Sequence, residues 1–81
     1  MTFTSDEEAI LELFCRFKTA RLELRHMLQS NLGPVEREAA IRSLMKLRIL
    51  NPDSRPGGPA WLTDPKGLRI LRARCPNDFP I

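Results

Sequence analysis

Residues 41–71 read IRSLMKLRILNPDSRPGGPAWLTDPKGLRIL, and this stretch decides the fold. Apolar residues recur at helical spacing up to Leu47, and the short apolar run Ile49–Leu50 follows. Three prolines and two glycines then fall within Asn51–Pro59. Proline lacks an N–H donor and glycine permits left-handed backbone, so this segment is typical of a hairpin loop. With Ala60–Leu62 as the second strand, the stretch predicts a helix followed by a two-stranded hairpin.

A capped helix is expected after the hairpin. Thr63 can accept a hydrogen bond from the helix start, and Pro65 suits the first turn, where a missing N–H costs nothing. Upstream of the hairpin, Gly33 followed by a proline marks a helix boundary. Helix, strand, turn, strand and capped helix is the order in which a winged helix-turn-helix ends. The predicted fold is therefore mainly α with a small β-hairpin: a winged helix-turn-helix domain at residues 1–75, followed by a C-terminal tail at 76–81.

The N-terminal third predicts either one helix or two. Ser5–Glu8 has the spacing of a capping box, and apolar residues recur at helical spacing as far as Phe17. One helix over residues 6–29 would place Arg21 in the middle of the buried face. A break near Thr19, whose hydroxyl would cap a new helix, avoids that burial. Two helices are therefore favoured, and a single helix stays the alternative.

The chain has the composition of a single globular domain, with 81 residues of which 42% are hydrophobic. Strand alternation places Trp61 and Leu62 on opposite sides of their strand, so Trp61 is expected to be partly exposed. Apolar residues at helix or strand spacing define the expected core. Its members are Ile10, Phe14, Phe17, Leu24, Leu28, Ile41, Leu44, Leu47, Leu62 and Leu71.

Positive charge is concentrated in the C-terminal half. The net charge is +3, and between Arg37 and Arg74 nine lysines and arginines face three carboxylates. The acidic start needs no functional explanation, because carboxylates stabilise a helix N-terminus. A basic half is a plausible electrostatic footprint for phosphate binding. An arginine-rich helix surface that serves solubility and salt bridges would give the same pattern.

Two segments resemble MarR-type and related winged-helix regulators. Leu62–Leu71 is similar to the part of those proteins in which the strand leaving the wing feeds a helix. Ile41–Leu50 looks like their recognition helix and first wing strand. The sequence departs from the pattern at Arg48, where a glycine is common, and in the wing, which lacks most of the usual charged series. The resemblance covers roughly half of the chain.

The resemblance implies DNA binding, with Arg42 and Lys46 on a recognition helix at 34–48 and Arg55 on a wing at 51–60. Arginine can bond bidentately to guanine in the major groove, and a wing arginine can reach the minor groove or a phosphate. The protein is thus expected to bind double-stranded DNA, as a small transcriptional regulator of bacterial or phage type. The candidate DNA-binding residues are Arg37, Ala39, Arg42, Ser43, Lys46 and Arg55.

A protein-interaction module is the alternative, because one fold can serve both kinds of binding, and an adaptor, antagonist or anti-activator would fit. Glu36 and Glu38 favour it, since carboxylates beside phosphates weaken nucleic-acid binding. Trp61 is then the candidate contact with the protein partner. Otherwise its ring is expected to lie on a loop proline or on the first helix.

Other functions lack the residues they need. No nucleophile–base set, paired carboxylates or phosphate-binding glycine loop can be assembled, so we expect neither an enzyme nor a cofactor. Cys15 and Cys75 belong to no C-x-x-C motif, and His26 is the only histidine that could join them as a metal ligand. Two reduced thiols are therefore expected, rather than a disulfide or a redox site. No signal peptide or membrane-spanning run is recognisable, which predicts a cytoplasmic protein without membrane contact. Because one small module usually binds DNA weakly, a homodimer formed through the first helix or the C-terminal segment is left open.

Overall fold

The computed structural model describes residues 2–53, 60–63 and 65–75, apart from the side chain of Leu62. The described chain is mainly helical with one small antiparallel sheet, which confirms the predicted fold class at this level. The tail predicted at 76–81 lies outside the described residues. In chain order the elements are helix α1 (Ser5–Phe17), strand β1 (Arg21–Glu23), helix α2 (Leu24–Met27), helix α3 (Pro34–Lys46), strand β2 (Leu50–Asp53), strand β3 (Ala60–Thr63) and helix α4 (Pro65–Arg74).

The sheet has three strands in the order β1-β3-β2, one more than the predicted hairpin. Strand β2 continues to Asp53, so the prediction that the hairpin loop begins at Asn51 was wrong. Pro52 is accommodated within β2 because this strand lies at the edge of the sheet, where a missing N–H need not remove a ladder bond. The central strand β3 pairs antiparallel with both neighbours, and Trp61 lies between Leu22 on β1 and Pro52 on β2.

The N-cap of helix α1 lies one residue earlier than the predicted capping box places it. Thr4 is the N-cap: its hydroxyl accepts from the Glu7 N–H at 3.1 Å, and Glu7 Oε1 accepts from the Thr4 N–H at 2.8 Å. The prediction that Ser5 and Glu8 form this pair was wrong. The pairs Thr4–Glu7 and Ser5–Glu8 have the same spacing of a capping box, so the local sequence allows either. Which pair forms depends on which of the two glutamates makes further contacts with the rest of the fold.

Helix α1 ends at Phe17, so the prediction of two helices in this region is confirmed. Lys18 adopts a left-handed conformation (φ 50°) and closes the helix with backbone bonds back to Phe14 and Cys15. The prediction that Thr19 caps the second helix was wrong. Its hydroxyl donates to the Arg21 carbonyl and accepts from the Arg21 N–H, which turns the chain into β1.

Arg21 is half-buried, and two carboxylates compensate its charge. Its Nε donates to Asp53 Oδ2 at 2.6 Å, and its Nη1 donates to Glu23 Oε2 at 2.9 Å. The first of these bonds joins β1 to β2 across the central strand. A guanidinium with two such partners can be taken partly out of water at an acceptable cost.

The core lies between the helices and one face of the sheet. Of the predicted core residues, Ile10, Phe14, Ile41, Leu44 and Leu71 are buried, whereas Leu47 is half-buried. The predicted burial of three further residues was wrong, because α1 ends at Phe17 and β1 then interrupts the helical stripe. Those three are exposed: Phe17 at 36%, Leu24 at 39% and Leu28 at 58%.

Cys15 and Cys75 form a disulfide, so the prediction of two reduced thiols was wrong. The bond joins the last turn of α1 to the residue after α4, with the two Cα atoms 5.2 Å apart and a sequence separation of 60. Cys75 is buried rather than part of an exposed tail. The pairing depends on α4 packing beside α1, a long-range contact that cysteine spacing cannot reveal.

Thr63 ends β3, and α4 begins at Pro65. The prediction that Thr63 caps this helix was wrong, because its buried hydroxyl oxygen has no hydrogen-bond partner within the described part of the chain. At the other end of the first turn, Gly67 packs directly on the backbone of Ile49, where an added Cβ would lie 2.5 Å from the carbonyl oxygen. This close approach fixes the position of α4 relative to the end of α3. None of the helices in the described part of the chain combines the length and the hydropathy of a membrane span.

Candidate nucleic-acid interface

Helix α3 presents one side to the core and the other to solvent. It starts after Gly33 with a proline in its first turn, and Ala40, Ile41 and Leu44 pack inward. On the opposite side, steps of four, three and four residues keep a set of side chains in line. We call this set the outer face of α3; it comprises Val35, Ala39, Arg42 and Lys46, all exposed.

A shallow groove of about 170 Å³ runs along the outer face, lined by Val35, Glu38, Ala39 and Arg42. Arg42 Nη2 donates to Glu38 Oε1 at 2.8 Å, and the two side chains are 65% and 70% exposed. Ion pairs this exposed contribute little to stability, on the order of 0.3–0.5 kcal/mol within a helix. The Arg42 guanidinium can therefore leave Glu38 for a more strongly charged acceptor at small cost.

Two predicted site residues point elsewhere. The Ser43 hydroxyl donates to Glu7 Oε2 at 2.5 Å, which ties α3 to α1. This bond, together with the Thr4 backbone N–H, lowers the pKa of the buried Glu7 carboxyl. Arg37 is half-buried and lies about half a turn around the helix axis from Lys46, off the outer face.

Two hairpin residues were predicted to contribute to binding, Arg55 in the loop and Trp61 on the second strand. Arg55 and the rest of the loop lie outside the described residues. Trp61 is half-buried and packs against the core. Its partial exposure matches the prediction, and a contact with a partner through the exposed part of the ring stays a prediction.

A cluster of cations at the end of α3 includes two residues that the site prediction missed. Arg48 is exposed and takes the left-handed conformation (φ 61°) after α3, where its N–H bonds the Met45 carbonyl. Glycine is the usual residue in this conformation. Lys66 on α4 donates from Nζ to the Leu47 carbonyl at 3.2 Å. We call Lys46, Arg48 and Lys66 the basic cluster.

The basic cluster carries three positive charges, and within the described residues no carboxylate pairs with any of them. Its signal in the sequence is Arg48, which stands where the winged-helix regulators that the chain resembles commonly have a glycine. Lys66 could not be found from sequence, because its position depends on Gly67 packing against Ile49.

The described residues contain no group of three His, Cys, Asp or Glu side chains that could hold a metal ion. What the arrangement offers chemically is exposed positive charge along one helix face and at its end. The comparisons with known proteins add no relative: no protein-family model, no curated protein and no solved structure matches the chain.

Proposed function

We propose that the protein is a winged-helix DNA-binding protein, with α3 as the recognition helix and the β2-β3 hairpin as the wing. The order α1, β1, α2, α3, β2 and β3, with β1 paired to β3, is the order of a winged helix-turn-helix and supports the proposal. The observation that carries it is the continuity of the outer face of α3 with the basic cluster. A regulatory role in the cytoplasm is part of the same proposal.

The two surfaces would contribute in different ways. An exposed helix fits the major groove of B-DNA, where Arg42 can bond to a guanine edge. The basic cluster lies at the end of that helix, and its three cations would neutralise phosphates of the flanking backbone. Glu36 and Glu38 oppose binding, because carboxylates repel phosphates. When Arg42 leaves Glu38 to contact DNA, the Glu38 side chain is free to turn away from the phosphates.

Binding of a labelled random-sequence duplex tests the proposal, measured by fluorescence anisotropy from about 50 to 200 mM salt. Replacing Lys46, Arg48 or Lys66 by Gln should each reduce the salt slope by about one. Arg42→Ala should weaken binding as well. Arg16→Ala is its matched control, because Arg16 on α1 is also an exposed arginine paired with a glutamate four residues earlier, Glu12 at 3.0 Å.

Equal effects of Arg42→Ala and Arg16→Ala would show that binding reflects net charge and not the outer face of α3. No shift in anisotropy at about 50 mM salt would remove the DNA-binding proposal altogether.

A protein-interaction module is the second candidate function. Val35 is 77% exposed and, with Ala39, gives the outer face of α3 an apolar end beside two carboxylates. Such a surface suits a protein contact better than a phosphate backbone. In this case the duplex would not bind, and Val35→Asp or Trp61→Ala would abolish capture of a protein partner in a pull-down, while Arg16→Ala would not.

A further inference from the structure

A second groove, of about 510 Å³, lies on the side of α1 that carries the disulfide. It is much larger than the groove on α3, and its volume falls within the range of small-molecule sites, roughly 300–1,000 Å³. Nothing in the proposed DNA-binding surface uses it. Its lining residues come from α1 and the end of α4: Glu8, Ala9, Leu11, Glu12, Cys15 and Arg74.

One cysteine of the disulfide lines the groove, and among the described residues the other does not. Cys15 lines the groove and is half-buried, whereas Cys75 is 7% exposed and does not line it. Thiol–disulfide exchange requires a thiolate to reach one sulfur, so access decides which sulfur is attacked. A thiolate in the groove would therefore lie beside Cys15, the more exposed cysteine of the pair.

The walls of the groove do not demand a charged ligand. Glu8 is paired with Arg74, which also lies over the Phe3 ring, and Glu12 is paired with Arg16. The remaining wall is apolar and consists of Ala9 and Leu11. With its carboxylates paired, the groove presents little net charge to a small thiol.

We propose that this groove is the site where a low-molecular-weight thiol attacks the Cys15–Cys75 disulfide at Cys15 Sγ. The thiolate forms a mixed disulfide with Cys15 as the Cys15–Cys75 bond breaks, and the electron pair leaves on Cys75 Sγ, which takes a proton from water. A second thiolate then attacks the mixed disulfide at the sulfur of the first thiol. That step releases Cys15 as a thiol once it is protonated, together with the oxidised small molecule. The protein gains two electrons and two protons in total.

Opening this bond removes the covalent link between the end of α4 and α1 and leaves the Glu8–Arg74 pair as their remaining polar contact among the described residues. The start of α4 touches the end of α3 through Gly67 against Ile49 and through Lys66 bonded to Leu47. Loosening α4 would thus reach the basic cluster, a consequence that rests on the proposed function. The exchange chemistry itself does not depend on that function.

Trapping the first exchange product tests the proposal on the whole protein. The oxidised chain is mixed with reduced glutathione under native conditions and quenched early with N-ethylmaleimide. Trypsin cleavage after Arg16 and Arg74 separates the two cysteines for mass spectrometry. We expect glutathione on Cys15 and maleimide on Cys75, in about tenfold excess over the opposite arrangement.

A pair of variants tests the groove itself. Ala9→Phe should fill it and slow the exchange about tenfold, since the thiolate loses its path. Ala73→Phe is the matched control, because Ala73 is an exposed alanine on α4 that does not line the groove. It should leave the rate unchanged.

Equal amounts of the two mixed disulfides, or a majority on Cys75, would overturn the proposal by showing that exchange follows unfolding. No native-state exchange at all, or equal slowing by both variants, would overturn it as well. The wild-type product ratio needs no variant, so a failure of Ala9→Phe to fold would leave that part of the test intact.

Discussion

Removal of the disulfide should cost this protein much of its stability. The bond closes a loop of about 60 residues in an 81-residue chain. In the loop-entropy model, a cross-link over that separation stabilises the folded state by about 4 kcal/mol. Small domains have roughly 5–15 kcal/mol in total, so the double variant Cys15→Ala/Cys75→Ala should keep only a fraction of the wild-type free energy of unfolding.

The loss should be visible in thermal and urea unfolding followed by circular dichroism. For a domain of this size, about 4 kcal/mol corresponds to a fall in Tm of roughly 15–30 °C. Wild type treated with a phosphine reductant should show the same fall, because it loses the bond and keeps both side chains. If the double variant and the reduced wild type both melted within a few degrees of the oxidised protein, the entropic reasoning would be refuted. If only the double variant fell, the loss would come from the packing of Cys75.

Three further predictions concern single residues. Arg48→Gly should raise the free energy of unfolding by about 1 kcal/mol in urea titration, because glycine takes the left-handed conformation without strain; an unchanged value would show that Arg48 is not strained there. Leu44→Ala should lower the free energy of unfolding by ~2–5 kcal/mol, as expected for a leucine with no exposed surface, and a Tm within two degrees of wild type, on the order of measurement error, would contradict its place in the core. Burial is the main cause that lowers the pKa of His26 below 6.5. The His26 Nδ1 accepts a hydrogen bond from the Glu23 N–H, which it can do only while the imidazole is neutral. The free energy of unfolding should therefore be constant above pH 6.5 and should fall as the pH drops below 6.5. His26→Asn keeps an acceptor at that position without titrating, and its stability should not change over that pH range; equal pH dependence in both proteins would assign the effect to another group.

Elements with a strong local signal could be predicted from sequence. The boundary at Gly33, the end of α1 before Thr19 and the strand β3 all follow from nearby residues. Strand β1 could not be predicted, because it is three residues long and exists only as a partner of β3. The exposure of Leu28 follows from that unpredicted strand.

The candidate site was predictable only in part. Arg42 and Lys46 lie on the predicted outward face, because helix periodicity places them opposite Ile41 and Leu44. Ser43 satisfies the same periodicity, but its hydroxyl is taken by a carboxylate 36 residues away, which no local pattern contains. The same limit applies to the disulfide, whose two halves are 60 residues apart.

The proline in β2 has a consequence for association between copies of the chain. An edge strand normally offers a row of backbone donors and acceptors to which another chain can add a strand. Pro52 removes a donor from the β2 edge, and β1 at the other edge is only three residues long. Neither edge is therefore a good template for extending the sheet into a second molecule. Contact between copies through the described residues would therefore not extend the sheet across two molecules.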